Sequence, residues 1–184
     1  MNKENYSIIR QQFAQCVFNH KIHEKASDRL DALQSKVKWI NITILAFVII
    51  FLVLQLKYSD NFIFGGISIA ITIFEILFLF IQKEFSIDDR VKEHKKIALQ
   101  YLGLRDKYKN FIVDIMNDLE NEKIISKRDL LQEQYQIISS LSPQTKYKDY
   151  TKTQIHLLGK TNTDEEFTWS DKEINRFLPK DLHI

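Results

Sequence analysis

The sequence predicts an all-α membrane protein: a two-helix transmembrane hairpin with long helices extending into a cytoplasmic helical domain. Three observations carry that prediction. Two apolar runs, residues 39–56 and 62–81, stand five residues apart, and the only charge within either is Glu75. The 184 residues include just 4 Gly and 2 Pro, too few for a fold rich in turns. Outside the runs, apolar residues recur at intervals of 3 and 4, the spacing of one helix face.

The averages conceal this layout. Apolar residues make up 45% and the mean hydropathy is −0.24, values that suit a soluble protein. The net charge of +2 is too mild to imply nucleic-acid binding. One cysteine, Cys16, excludes an internal disulfide framework. The opening MNKENYSIIRQQF has no basic start, apolar core and small-residue cleavage site, so it does not read as a signal peptide.

Residues 1–38 are predicted to form an amphipathic helix, in which Ala26, Leu30, Leu33 and Val37 repeat at 4, 3 and 4. No breaker separates it from the first span, 39–56. Eighteen uncharged residues at ~1.5 Å each reach ~27 Å, close to the hydrocarbon thickness of a bilayer. The loop 57–61 (Lys57, Tyr58, Ser59, Asp60, Asn61) is so short that the second span, 62–82, must run antiparallel. The remaining chain is too polar to wrap both runs, which argues against a buried hairpin in a soluble protein. Lys21, Lys25, Arg29, Lys36 and Lys38 precede the spans; Lys83, Arg90, Lys92, Lys95 and Lys96 follow them. The excess of basic residues there places both flanks in the cytoplasm and the loop outside. Trp39 and Tyr58 suit interfacial anchors.

Residues 83–142 read as cytoplasmic helices. The first should run from Asp88 to about Glu122, with a packing stripe of Ala98, Leu102, Arg105, Tyr108, Ile112, Ile115 and Leu119. It is expected to pair with the helix before the membrane, against Ala26, Leu30 and Leu33, or with a second subunit. A further helix is expected from Ser126, as N-cap with Asp129 three residues on, to near Pro143. Residues 143–184 then form a linker and short helices. One spans about 150–158, closed by Gly159; another starts at the capping box Ser170/Glu173 and ends before Pro179.

The second span holds the most informative pattern. Gly65, Ser68, Thr72, Glu75, Leu79 and Gln82 follow one another at 3, 4, 3, 4 and 3, one stripe with a single apolar member. Polar groups in hydrocarbon need partners, so the stripe is read as lining a pore or an oligomer interface. Polar packing inside one hairpin is the alternative. One hairpin is too small to enclose a channel, so a pore requires several copies. The first span supplies no cation, so Glu75 must be protonated, bonded to neutral groups or hydrated. Asn41 and Gln55 share one face of that span, and Gly66 and Ala70 form a small-xxx-small pair; these four are read as packing the two spans together.

Other constellations point elsewhere. Cys16, His20, His23 and Glu24 share one helix side, but a straight helix offers only about two of them to one ion, so no metal site is expected. Lys146, Tyr147, Lys148, Tyr150 and Lys152 interleave charge and aromatics, and are read as a solvated linker rather than a nucleic-acid surface. No phosphate-binding loop, nucleophile elbow or zinc-protease motif is present, so neither an enzyme nor a cofactor is expected.

Three features together resemble the SLATT family of two-transmembrane effectors: the hairpin with its minimal loop, the stretch IALQYLGLRDKYKNFIVDI (97–115), and the tail SPQTKYKDYTKTQ (142–154) followed by SDKEINRFLP (170–179). The resemblance implies a membrane-disrupting effector of bacterial antiviral defence, in the inner membrane, that forms pores or lesions and causes cell death or growth arrest. It also implies a separate sensor or nucleotide-synthesising enzyme from the same locus as partner. The rival reading is a membrane-anchored scaffold or receptor that opens nothing.

Overall fold

The computed structural model describes residues 3–59, 62–159 and 168–183. Asp60 and Asn61 of the expected loop, and residues 160–167 of the tail, lie outside them. All elements among the described residues are helical: α1 (Lys3–Lys57), α2 (Ile63–Phe85), α3 (Ile87–Met116), α4 (Asn121–Leu141), α5 (Tyr147–Leu158), α6 (Asp171–Asn175) and a 3₁₀ turn, Lys180–Leu182. They fall into two compact units, a hairpin unit of Asp28–Val91 and a polar helical unit of Met1–Ser27 with Lys92–Ile184. Helices α1 and α3 each contribute to both.

In the hairpin unit, α1 and α2 are long and apolar enough to cross a membrane. Their large apolar side chains face outward: Trp39 is 69% exposed, Phe47 51%, Leu56 83% and Phe80 68%. A soluble core would hide these groups, whereas lipid solvates them. One residue, Ser86, separates α2 from α3. It sits in the left-handed region (φ 42°), and its amide donates to the Lys83 carbonyl as the C-cap of α2.

The polar unit is a packed core. Ile9, Phe13, Cys16, Val17 and Ile22 of α1 lie in one buried cluster with Ile97, Tyr101, Leu104, Tyr108, Phe111, Ile112 and Ile115 of α3. Ile124 and Leu131 of α4, Leu157 of α5 and Trp169, Ile174, Leu178 and Leu182 complete it. Of the expected packing stripe, Ala98, Tyr108, Ile112 and Ile115 are buried, while Leu102 and Leu119 are only partly so. The seam is wider than a single 3–4 repeat because α1 and α4 both press on α3, so Tyr101, Leu104 and Phe111 join it. On α1, Ala26 and Leu30 are buried as expected, whereas Leu33 is 45% exposed, and the core extends back through Ile22 to Tyr6.

Three boundaries differ from the sequence expectation. Helix α3 ends at Met116, because Asp118 turns the chain through the left-handed region (φ 59°). Aspartate tolerates that conformation better than most residues. Helix α4 therefore begins at Asn121, and Ser126 lies inside it rather than capping it. Helix α5 starts at Tyr147, not near 150, since Asp149 in its first turn accepts from the Lys146 amide (3.1 Å). Gly159 closes α5 at φ 74°, and Ser170/Glu173 cap α6, both as the sequence predicts.

Arg10, fully buried on α1, draws the distal segment back onto that helix. Its guanidinium donates to Asn175 Oδ1 (2.6 Å) and the Leu182 carbonyl (3.2 Å), and pairs with Asp171 at 3.3 Å. The next residue, Gln11, exchanges two hydrogen bonds with the Trp169 backbone.

Candidate functional site

The site is the seam between α1 and α2. Helical periodicity turns Gly65, Ser68, Glu75 and Gln82 of α2 inward, with Ile71 and Phe78 half-buried beside them. A polar clasp sits near each end. Toward the loop, the Gly65 amide donates to Gln55 Oε1 (2.7 Å). At the lysine-rich end, Asn41 and Gln82 exchange two amide hydrogen bonds (3.1 and 2.9 Å). Between them the Ser68 hydroxyl reaches the Val48 carbonyl at 3.4 Å. Close approach favours glycine at 65, since an added Cβ would stand 3.1 Å from Gln55 Oε1 and push that side chain aside.

Glu75 lies between the Ser68 contact and the Asn41–Gln82 pair. It is 4% exposed, and neither carboxylate oxygen has a hydrogen-bond partner among the described residues. A buried carboxylate without partners is costly, more so with hydrocarbon outside the helix pair. Asn41, Gln55, Ser68 and Gln82 each have a hydrogen-bond partner within the hairpin.

The predicted stripe therefore divides. Thr72 and Leu79 lie on the exposed side, and the Thr72 hydroxyl returns to the Ser68 carbonyl of its own helix (2.9 Å). Gly66 and Ala70, expected to pack the spans together, are exposed instead, and a Cβ added at Gly66 meets nothing within 4 Å. The reason is phase: neighbouring helix residues point ~100° apart, so once Gly65 faces α1, Gly66 cannot.

The profile of the SMODS and SLOG-associating 2TM effector domain family 4 matches residues 6–173, almost the whole chain. The chain belongs to this SLATT family. No curated protein and no solved structure gives a significant match. The family description and the outward-facing apolar spans agree on a two-transmembrane effector domain.

In its polar unit the SLATT chain buries an ionisable pair that sequence reading missed. His23 Nδ1 and His94 Nδ1 share a hydrogen bond of 2.9 Å, and the His23 ring stacks on Tyr101 at 5.9 Å. Of the metal-like set on α1, only His20 and Glu24 stay within reach of each other, at 3.6 Å. Cys16 is buried in the core, His20 bonds the Ala98 carbonyl (2.9 Å), and Glu24 pairs with Lys21 (2.7 Å). Burial pushes the Cys16 thiol up to about 12, where it is inert. The basic-aromatic stretch becomes α5, with Asp149 buried and Lys146, Lys148 and Lys152 in solvent.

Burial, helped by the His94 ring and opposed by Asp149, pushes His23 down to about 4. The folded state thus holds His23 neutral, while the unfolded chain takes up the proton near the ordinary value of about 6.5. Stability of the polar unit is expected to be full above pH about 6.5 and to drain by roughly 3 kcal/mol as pH falls toward 4. Denaturant melts at pH 7 and pH 5 check this. His23→Phe, which keeps the ring stack, should remove much of the acid loss; an unchanged acid limb would place its origin elsewhere.

Proposed function

We propose that the chain is an oligomerising effector of a bacterial defence system. On this reading it opens a membrane pore or lesion when triggered, and growth then stops. The observation that supports it is the buried Glu75 carboxylate, without a partner among the described residues, in a seam where Asn41, Gln55, Ser68 and Gln82 each have one. A hairpin serving only as an anchor gains nothing from it, because Leu there would insert better. A seam that opens toward water or toward second copies supplies the hydration or donors the carboxylate lacks. A ring of Glu75 side chains would then favour cations. The basic flanks support an orientation with both of them in the cytoplasm.

The two clasps, Asn41–Gln82 and Gln55–Gly65, favour a second reading, in which the hairpin stays closed and anchors a partner-binding unit. Induced expression with the other genes of its locus decides between them. Growth arrest together with loss of membrane potential is expected for the pore. Arrest with the potential intact would leave the anchor.

A further inference from the structure

The lysine-rich end of the hairpin unit holds a cavity of about 420 Å³. Its walls include Gln34 and Lys38 of α1, Gln82 and Lys83 of α2, and Asp88 and Asp89 at the start of α3. The charges are unequally committed. Asp88 accepts from the Gln34 amide, and Asp89 also has a partner. The Lys38 and Lys83 ammoniums have none among the described residues. Gln82 is held in place by its pair with Asn41.

Depth is set by sequence. Lys38 immediately precedes the uncharged run 39–56, and Lys83 immediately follows the second span, 62–82. Both cations therefore stand where hydrocarbon gives way to headgroups, beside the exposed Trp39. The two aspartates balance the two lysines in number, so the pull on an anion comes from the unpartnered ammoniums at headgroup depth, where lysine binds phosphate as a point charge. We propose that this cavity binds the headgroup of an anionic phospholipid, with the phosphate held between Lys38 and Lys83. Ser86, the left-handed junction of α2 and α3, lines the same cavity, so an occupied site braces that junction. The assignment rests on the hairpin crossing a bilayer and is independent of whether it opens a pore.

Trp39 is the reporter, because Trp169, the other tryptophan, is buried in the polar unit and gives a constant background. The full chain is placed in phosphatidylcholine nanodiscs with a small, equal fraction of brominated phosphatidylglycerol or brominated phosphatidylcholine. The anionic lipid is expected to quench Trp39 several-fold more strongly, and Lys38→Gln with Lys83→Gln to bring the two lipids level. Lys36→Gln, an exposed lysine outside the cavity, should keep the preference. Equal quenching in the parent, or a preference that survives the double substitution, overturns the site. Labelling of a cysteine at Ser59 from the loop side reports insertion of each variant. If the double variant fails to insert, the single variants decide. Each should lose part of the preference, and one that keeps it in full overturns the shared hold.

Discussion

Glu75→Leu is expected to abolish depolarisation and growth arrest on induction while inserting better than the parent. On translocon scales a central carboxylate costs about 3 kcal/mol more than a leucine, so the substitution removes a penalty rather than a support. Loss of function with gained insertion would mean the carboxylate is retained for what it does. Glu75→Gln keeps the shape and some hydrogen bonding, and should shift ion selectivity or pH response more than expression. Phe74→Leu is the control, because Phe74 is 59% exposed on the outer face of α2. Cell growth and a membrane-potential dye read all three with the natural trigger present. Full depolarisation by Glu75→Leu would make the carboxylate a bystander and bring the anchor forward.

Ile112→Asp is expected to unfold the polar helical unit and leave the hairpin in the membrane. Ile112 is completely buried, so the aspartate enters the core with neither water nor a cation. The lost packing and the stranded charge together cost about 4 kcal/mol or more, a large share of a typical domain's stability. Limited trypsin digestion in nanodiscs checks it: the polar unit should become protease-sensitive while the spans stay protected. Val113→Asp is the internal control, since Val113 is 36% exposed and the change there should stay within about 0.5 kcal/mol. Retained protease resistance in Ile112→Asp would remove α3 from the core.

Much of this architecture could be read from residue spacing. The spans follow from two charge-poor runs, and Gly159 and Ser170/Glu173 mark real helix ends because their chemistry is local. The end of α3 could not be read the same way. Its stop is made by Asn117 and Asp118, polar residues that a helix surface also accepts, with neither Gly nor Pro to announce it. The polar stripe was half legible. A 3–4 repeat identifies one side of α2 but fixes its phase only to about one residue, which is why Thr72 and Leu79 fall at the exposed edge while Ile71 and Phe78 close the seam. The His23–His94 pair was not legible at all. The two rings are 71 residues apart, and only tertiary packing brings them to one hydrogen bond.

The Arg10 clasp sets an order for synthesis. Its partners, Asn175 and Leu182, lie 165 and 172 residues further along the chain. Both apolar runs leave the ribosome long before either partner exists, and domains close only when their parts have been made. Residues 3–27 must therefore wait, amphipathic and uncovered, while the hairpin is handed to the translocation machinery. Membrane entry comes first and closure of the polar unit comes last. A nascent chain stalled before residue 168 would carry an inserted hairpin with an unsealed Arg10, a target for quality-control proteases.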